Sequence, residues 1–146
     1  PQIYVRGPHI LLGGAENYYH WWIDFLPRVG VVQDMERALP ELRDLPIIVL
    51  DTLNAGQLAA LAKLGIPDSR LVKVPVGHTL KCDDLIVPHL LGRPMAPSGL
   101  PDWMKPMRND WAVRWVRETF ADWLQPKPGT PRRIFISRKK TAFRRC

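Results

Sequence analysis

The chain has 146 residues, 46% of them hydrophobic, and a formal net charge of +7. That length is one domain's worth, able to bury roughly 70% of its unfolded surface. No apolar run approaches the ~20 residues that cross a bilayer, and no basic segment followed by an apolar one opens the chain as a signal peptide would.

The charge is unevenly placed. After Trp123 come Lys127, Arg132, Arg133, Arg138, Lys139, Lys140, Arg144 and Arg145 without one acid among them, and the rest of the chain is close to neutral. Basic character therefore belongs to the end of the chain, which points to a local anion site or a solvated tail more than to a surface coated for nucleic acid. Two cysteines, Cys82 and Cys146, give no disulfide framework, and the compartment reads as reducing. The chain opens at Pro1 without a methionine, so the expectation is a piece of a longer protein, for which missing targeting signals say little.

In chain order, residues 3–5 read as a short strand and residues 9–12 as a better one, ending at Gly13 and Gly14. Residues 13–39 read as one long helix entered from that turn. Tyr18, Trp22, Phe25, Val29 and Val32 recur along it at steps of three and four, the spacing of a core-facing stripe. Pro27 removes a donor from the carbonyl of Ile23 and predicts a kink, and Pro40 marks the end. Residues 47–50 are apolar without alternation, as in a parallel strand covered on both faces. Asn54 caps a helix over residues 55–64 that closes at Gly65. Residues 71–74 and 79–87 are two more strands, with Cys82 half-buried on the second.

This order predicts an α/β fold with a mainly parallel sheet. Residues 92–107 are rich in proline and glycine and read as a linker or surface loop. An amphipathic helix follows over residues 109–124, with Ala112, Val113, Val116, Phe120 and Trp123 inward and Arg114, Arg117 and Glu118 outward. Residues 133–138 alternate like a strand that opens a further α/β unit.

The long helix carries more than a core stripe. Asn17, His20, Asp24 and Arg28 also recur at steps of three and four, so an amide, an imidazole, a carboxylate and a guanidinium share one face. His20 and Asp24 lie one turn apart, close enough for a carboxylate to raise the basicity of an imidazole and fix its tautomer. The plainer reading is a helix cap plus a buried polar network. A metal is a weaker option, because His9, His78 and His89 have no ligand spacing and no Asp-x-Asp pair occurs. Gly13 and Gly14 read as an anion-binding turn or, more simply, as a tight turn against the sheet. Trp21 and Trp22, beside His20, offer a surface on which a sugar could stack. Arg138, Lys139 and Arg144 follow directly on a strand, where open α/β sheets bind ligands and where an arginine fork suits phosphate.

Two stretches resemble a known family. Asn17-Tyr18-Tyr19-His20-Trp21-Trp22-Ile23-Asp24-Phe25-Leu26-Pro27-Arg28 is similar to the N-x-x-H-x-x-x-D-x-x-P-R signature of glycosyltransferase family 61. Arg133-Ile134-Phe135-Ile136-Ser137-Arg138, with Arg144 beyond, resembles that family's second signature, a strand ending in Ser-Arg before a basic loop. The resemblance implies a GT-B arrangement of two Rossmann-like domains with a cleft between them. Residues 1–91 would be the acceptor-side domain, and residues 108–146 the helix and first strand of an incomplete nucleotide-sugar-binding domain.

It also implies inverting transfer from a nucleotide-sugar donor to a glycan or other hydroxyl acceptor, in surface or capsular polysaccharide synthesis. No metal or further cofactor is expected, and the setting is cytoplasmic or peripheral at a membrane. His20 would be the base with Asp24 orienting it, or Asp24 would act alone. Arg138, Arg144 and Lys139 would hold the diphosphate. Asn17 and Arg28 would position the acceptor or close the cleft. The rival classes are a non-catalytic α/β fragment and a basic-tailed nucleic-acid-binding module.

Overall fold

The computed structural model describes residues 1–15, 17–88, 110–123, 125 and 129. Among them, four strands make one sheet: β1 (Gln2–Gly13), β2 (Ile47–Leu50), β3 (Leu71–Val74) and β4 (Thr79–Ile86). Their order is β3-β2-β1-β4, and every neighbouring pair is parallel. The mainly parallel α/β fold expected from the element order is therefore the one found, and it is compatible with a Rossmann-like arrangement.

β2 lies between β1 and β3, and Ile47, Ile48 and Val49 are all buried. A strand covered on both faces has no polar side to write into its sequence. β1 unites the two strands expected at its ends. The ladder slips between Val5 and Pro8, where Gly7 takes φ +80° and Pro8 has no N–H to give. Before the slip β1 pairs with β4 alone among the described strands. At Ile10 it pairs with both Ile47 of β2 and Ile86 of β4. Asp83 clasps the slip: its Oδ2 accepts from Gly7 N–H at 2.8 Å, and its Oδ1 accepts from the Tyr4 hydroxyl. Cys82 is half-buried on β4, as expected, with its thiol free.

The single helix expected over residues 13–39 is divided. A short α-turn, α1 (Tyr18–His20), runs into a π-helical turn, Trp21–Phe25, and α2 (Arg28–Ala38) follows Pro27. The Leu26 N–H reaches back five residues to the Trp21 carbonyl, at 2.8 Å. The expected kink takes this form, because Pro27 cannot continue the ordinary ladder. The wider turn rotates the helix relative to the 3.6-residue period, and the core stripe read from the sequence needs correction. Trp21, Leu26, Val29 and Val32 are the residues buried, Trp22 and Phe25 sit at the margin, and Tyr18 is 70% exposed.

α3 (Ala55–Lys63) starts with a full capping box. The Gln57 N–H donates to Asn54 Oδ1 at 3.0 Å, and the Asn54 N–H donates to Gln57 Oε1 at 2.8 Å. It ends at Gly65, where φ is +79°. Gln33 of α2 donates to the Leu64 carbonyl and so helps to close that end. Arg70 ties three segments together through the carbonyls of Leu42 and Leu45 and the Glu36 carboxylate.

α4 (Asp110–Thr119) packs against the elements already described, and most of the stretch expected to open a second unit, residues 108–146, lies outside the described residues. Phe120 belongs to the same buried cluster as Ile10, Trp21, Leu26 and Ile47. The Trp22 ring meets Phe120 edge-on at 5.2 Å, and Lys63 of α3 pairs with Asp122 at 2.8 Å. The physical reason is Gly30 of α2, whose missing side chain leaves a slot for the Trp115 indole. Trp115 is accordingly half-buried, whereas Val113 and Trp123, expected inward, are exposed. The expected linker at residues 92–107 and the strand at residues 133–138 lie outside the described residues. No helix among the described residues is long and apolar enough to cross a membrane.

Candidate active site

β1 ends at the point where the sheet order turns, with β2 on one side and β4 on the other. In open parallel sheets, crevices at the carboxyl ends of such strands are the usual ligand sites. The Gly13–Gly14 turn brings the chain from this end of β1 to α1. Gly13 has φ +81°, and a Cβ there would lie 3.0 Å from the Phe25 ring; a Cβ on Gly14 would lie 3.3 Å from Leu50. Both glycines thus serve close approach of backbone and side chains, the simpler of the two readings.

The four polar residues of the helix face divide into two pairs. Asn17 Oδ1 and two nitrogens of Arg28 hold the fold. Asn17 Oδ1 caps α1, accepting from the N–H groups of Tyr19 at 2.9 Å and His20 at 3.4 Å. Arg28 is 5% exposed. Its Nε donates to the Asp24 carbonyl at 3.0 Å, its Nη1 donates to the Leu12 carbonyl at 3.1 Å, and its guanidinium lies over the Phe25 ring at 4.6 Å. Burial pushes its pKa down, and the Asp24 charge pulls it back up. Arg28 is therefore a rivet between the last residues of β1 and the π-helical turn.

His20 and Asp24 form the other pair. His20 Nδ1 lies 2.6 Å from Asp24 Oδ2, with the two side chains 36% and 30% exposed. An ionised carboxylate only accepts, so Nδ1–H is the donor of this bond, and in the neutral ring Nε2 is the nitrogen with the lone pair. No described residue bonds Nε2. The pair is open to solvent on one side and held by the Arg28 rivet on the other. It can accept a proton at Nε2 while the carboxylate stabilises the resulting imidazolium.

Arg138, Lys139 and Arg144 lie outside the described residues, so the structure brings together only the helical half of the expected site. One expectation is corrected. Trp21, read as a stacking surface, is wholly buried, and its Nε1, like that of Trp22, has no hydrogen-bond partner among the described residues. The aromatic rings that do face solvent beside His20 are those of Tyr18 and Tyr19. Sequence reasoning had put Tyr18 in the core and singled out no role for Tyr19; their phenolic hydroxyls were the available signal. Among the described residues no three of His, Cys, Asp and Glu gather as a metal site would need. A separate apolar hollow of about 420 Å³, between α3 and β3, shares no residue with the pair. Comparison with protein-family models, curated proteins and solved structures finds no match.

Proposed function

We propose that this chain is the acceptor-side part of an inverting, metal-independent glycosyltransferase of the family 61 kind. Its GT-B partner domain would carry the nucleotide-sugar donor. The observation that supports this best is the His20–Asp24 hydrogen bond, 2.6 Å long and reachable from solvent at the carboxyl end of β1. The signature at residues 17–28 supplies the rest of the case.

In this reading His20 Nε2 takes the proton from an acceptor hydroxyl. The oxygen attacks the anomeric carbon of the donor from the face opposite its diphosphate. A new glycosidic C–O bond forms, the bond to the phosphate oxygen breaks, and the electron pair leaves with the nucleoside diphosphate. Asp24 holds Nδ1–H and stabilises the imidazolium. Arg138, Lys139 and Arg144 neutralise the departing diphosphate. The competing assignment, Asp24 as sole base, is less well supported because its Oδ2 is already engaged by the imidazole. The partners are then a nucleotide sugar and a glycan or other hydroxyl acceptor, not nucleic acid. The setting is cytoplasmic, peripheral to a membrane where surface or capsular polysaccharide is built.

The test is nucleoside diphosphate release by the full-length protein across a panel of nucleotide sugars, with and without glycan acceptors. His20→Ala is expected to lower acceptor-dependent release by about 10²- to 10⁴-fold while leaving the circular dichroism spectrum unchanged. Full activity in both His20→Ala and Arg138→Ala refutes the assignment. Full activity in His20→Ala with loss in Asp24→Asn transfers the base role to Asp24.

A further inference from the structure

We propose that Tyr18 and Tyr19 form the platform on which the acceptor stacks, and that the acceptor is therefore a sugar ring rather than a small alcohol or a protein hydroxyl. The inference rests on the transferase reading and names the acceptor class of that same site.

Tyr18 is 70% and Tyr19 51% exposed, at the two positions directly before His20. Neither hydroxyl has a hydrogen-bond partner among the described residues, so the fold uses neither polar tip. The rings nonetheless have fixed neighbours. Tyr19 meets the His20 ring at 5.6 Å and 79°. Tyr18 leans on Trp22 at 5.8 Å, and Trp22 stands edge-on against Phe120, which is 3% exposed. The row Tyr18–Trp22–Phe120 thus runs from solvent into the core, and Tyr19 borders the base. One exposed aromatic ring thus borders His20 itself, and a second stands one residue before it against Trp22.

That combination suits one ligand chemistry. A pyranose has a face of C–H bonds and a rim of hydroxyls. A phenol has an apolar face to meet the first and a polar edge to meet the second. Ordering these side chains in the free protein lowers the entropy lost on binding.

The experiment is a ¹H–¹⁵N titration of the protein with methyl α- and β-pyranosides and their short oligomers. Saturable shifts at the Tyr18, Tyr19 and His20 amides are expected with at least one sugar. Tyr18→Ala and Tyr19→Ala should each weaken that binding by about three- to tenfold. Tyr19→Phe should keep the stacking. Absence of shifts at these amides up to the solubility of every sugar overturns the proposal. So does undiminished binding in both alanine variants, or binding of anionic phospholipid vesicles in place of sugars. The two readings fail separately. Sugar binding without transfer by the full-length protein removes the transferase and keeps the platform. Transfer with an unchanged acceptor KM in both alanine variants removes the platform and keeps the transferase.

Discussion

Gly30→Ala sets two known effects against each other, and the structure says which prevails. Inside a helix, alanine in place of glycine stabilises by up to about 1 kcal/mol. At Gly30 the new methyl would lie 2.7 Å from Trp115 Nε1, 2.9 Å from Trp115 Cε2 and 3.2 Å from Trp111 Cη2. Those atoms are not the tip of a flexible chain. They belong to two stacked indoles with centroids 6.1 Å apart, so relief requires α4 itself to move. Overpacking of this kind costs about 1–3 kcal/mol. The net expectation is a loss of about 1 kcal/mol, read as a lower midpoint at unchanged slope in urea unfolding. Trp115→Ala removes the two closest of these contacts and leaves Trp111 room to shift. In that background Gly30→Ala should stabilise, by up to about 1 kcal/mol, and the reversal of sign measures the coupling between α2 and α4. Stabilisation by Gly30→Ala in the wild-type chain, or an equal loss in both backgrounds, would refute the docking of α4 on α2.

Further outcomes follow from other contacts. Arg28→Lys keeps the charge but loses the fork that reaches the carbonyls of both Asp24 and Leu12. It should cost about 1–3 kcal/mol in urea unfolding, and a stability equal to wild type would show that charge alone suffices. Arg70→Ala strands Glu36, whose side chain is 16% exposed, and frees the carbonyls of Leu42 and Leu45. The expected loss is about 3 kcal/mol, checked by thermal unfolding.

The Asp83 clasp gives a pH signature. The Tyr4 hydroxyl, and then the Gly7 N–H, hold the Asp83 carboxyl below its usual range, so its contribution is present above the unfolded pKa and lost as pH falls through the folded one. The same bond raises the Tyr4 pKa, so that contribution is present below the unfolded value and lost as pH rises through the folded one. The Gly7 amide should therefore be best protected between about pH 4 and 10. Asp83→Asn should flatten the acid limb, and an unchanged limb would remove Asp83 as its cause.

What could be read from the residues was whatever depends on near neighbours. The apolar run at residues 47–50, the Asn54 cap and the stop at Gly65 each have a local cause, and all three are found where expected. The π-helical turn has no such local mark. Pro27 announces that the ladder breaks, but not that one turn widens before it, and that single extra residue moved Tyr18 outward and Trp21 inward. The packing of α4 was equally hidden. Amphipathicity says that a face is buried, not that its counterpart is an absent side chain at Gly30. The His20–Asp24 contact was legible because residues four apart stay neighbours on the helix surface. The targets of Arg28 are backbone carbonyls, one of them on a distant strand, and no residue type encodes a carbonyl.

β1 is shared unequally, and its amides will record this. Among the described strands it has one neighbour from Gln2 to Val5, while around Ile10 it is gripped from both sides. Solvent deuterium should therefore enter the first half quickly and the last turns of the ladder slowly. The stretch that delivers the chain to His20 would then be the stiffest part of the strand, a fixed abutment under the helix with the loose end turned away from the chemistry.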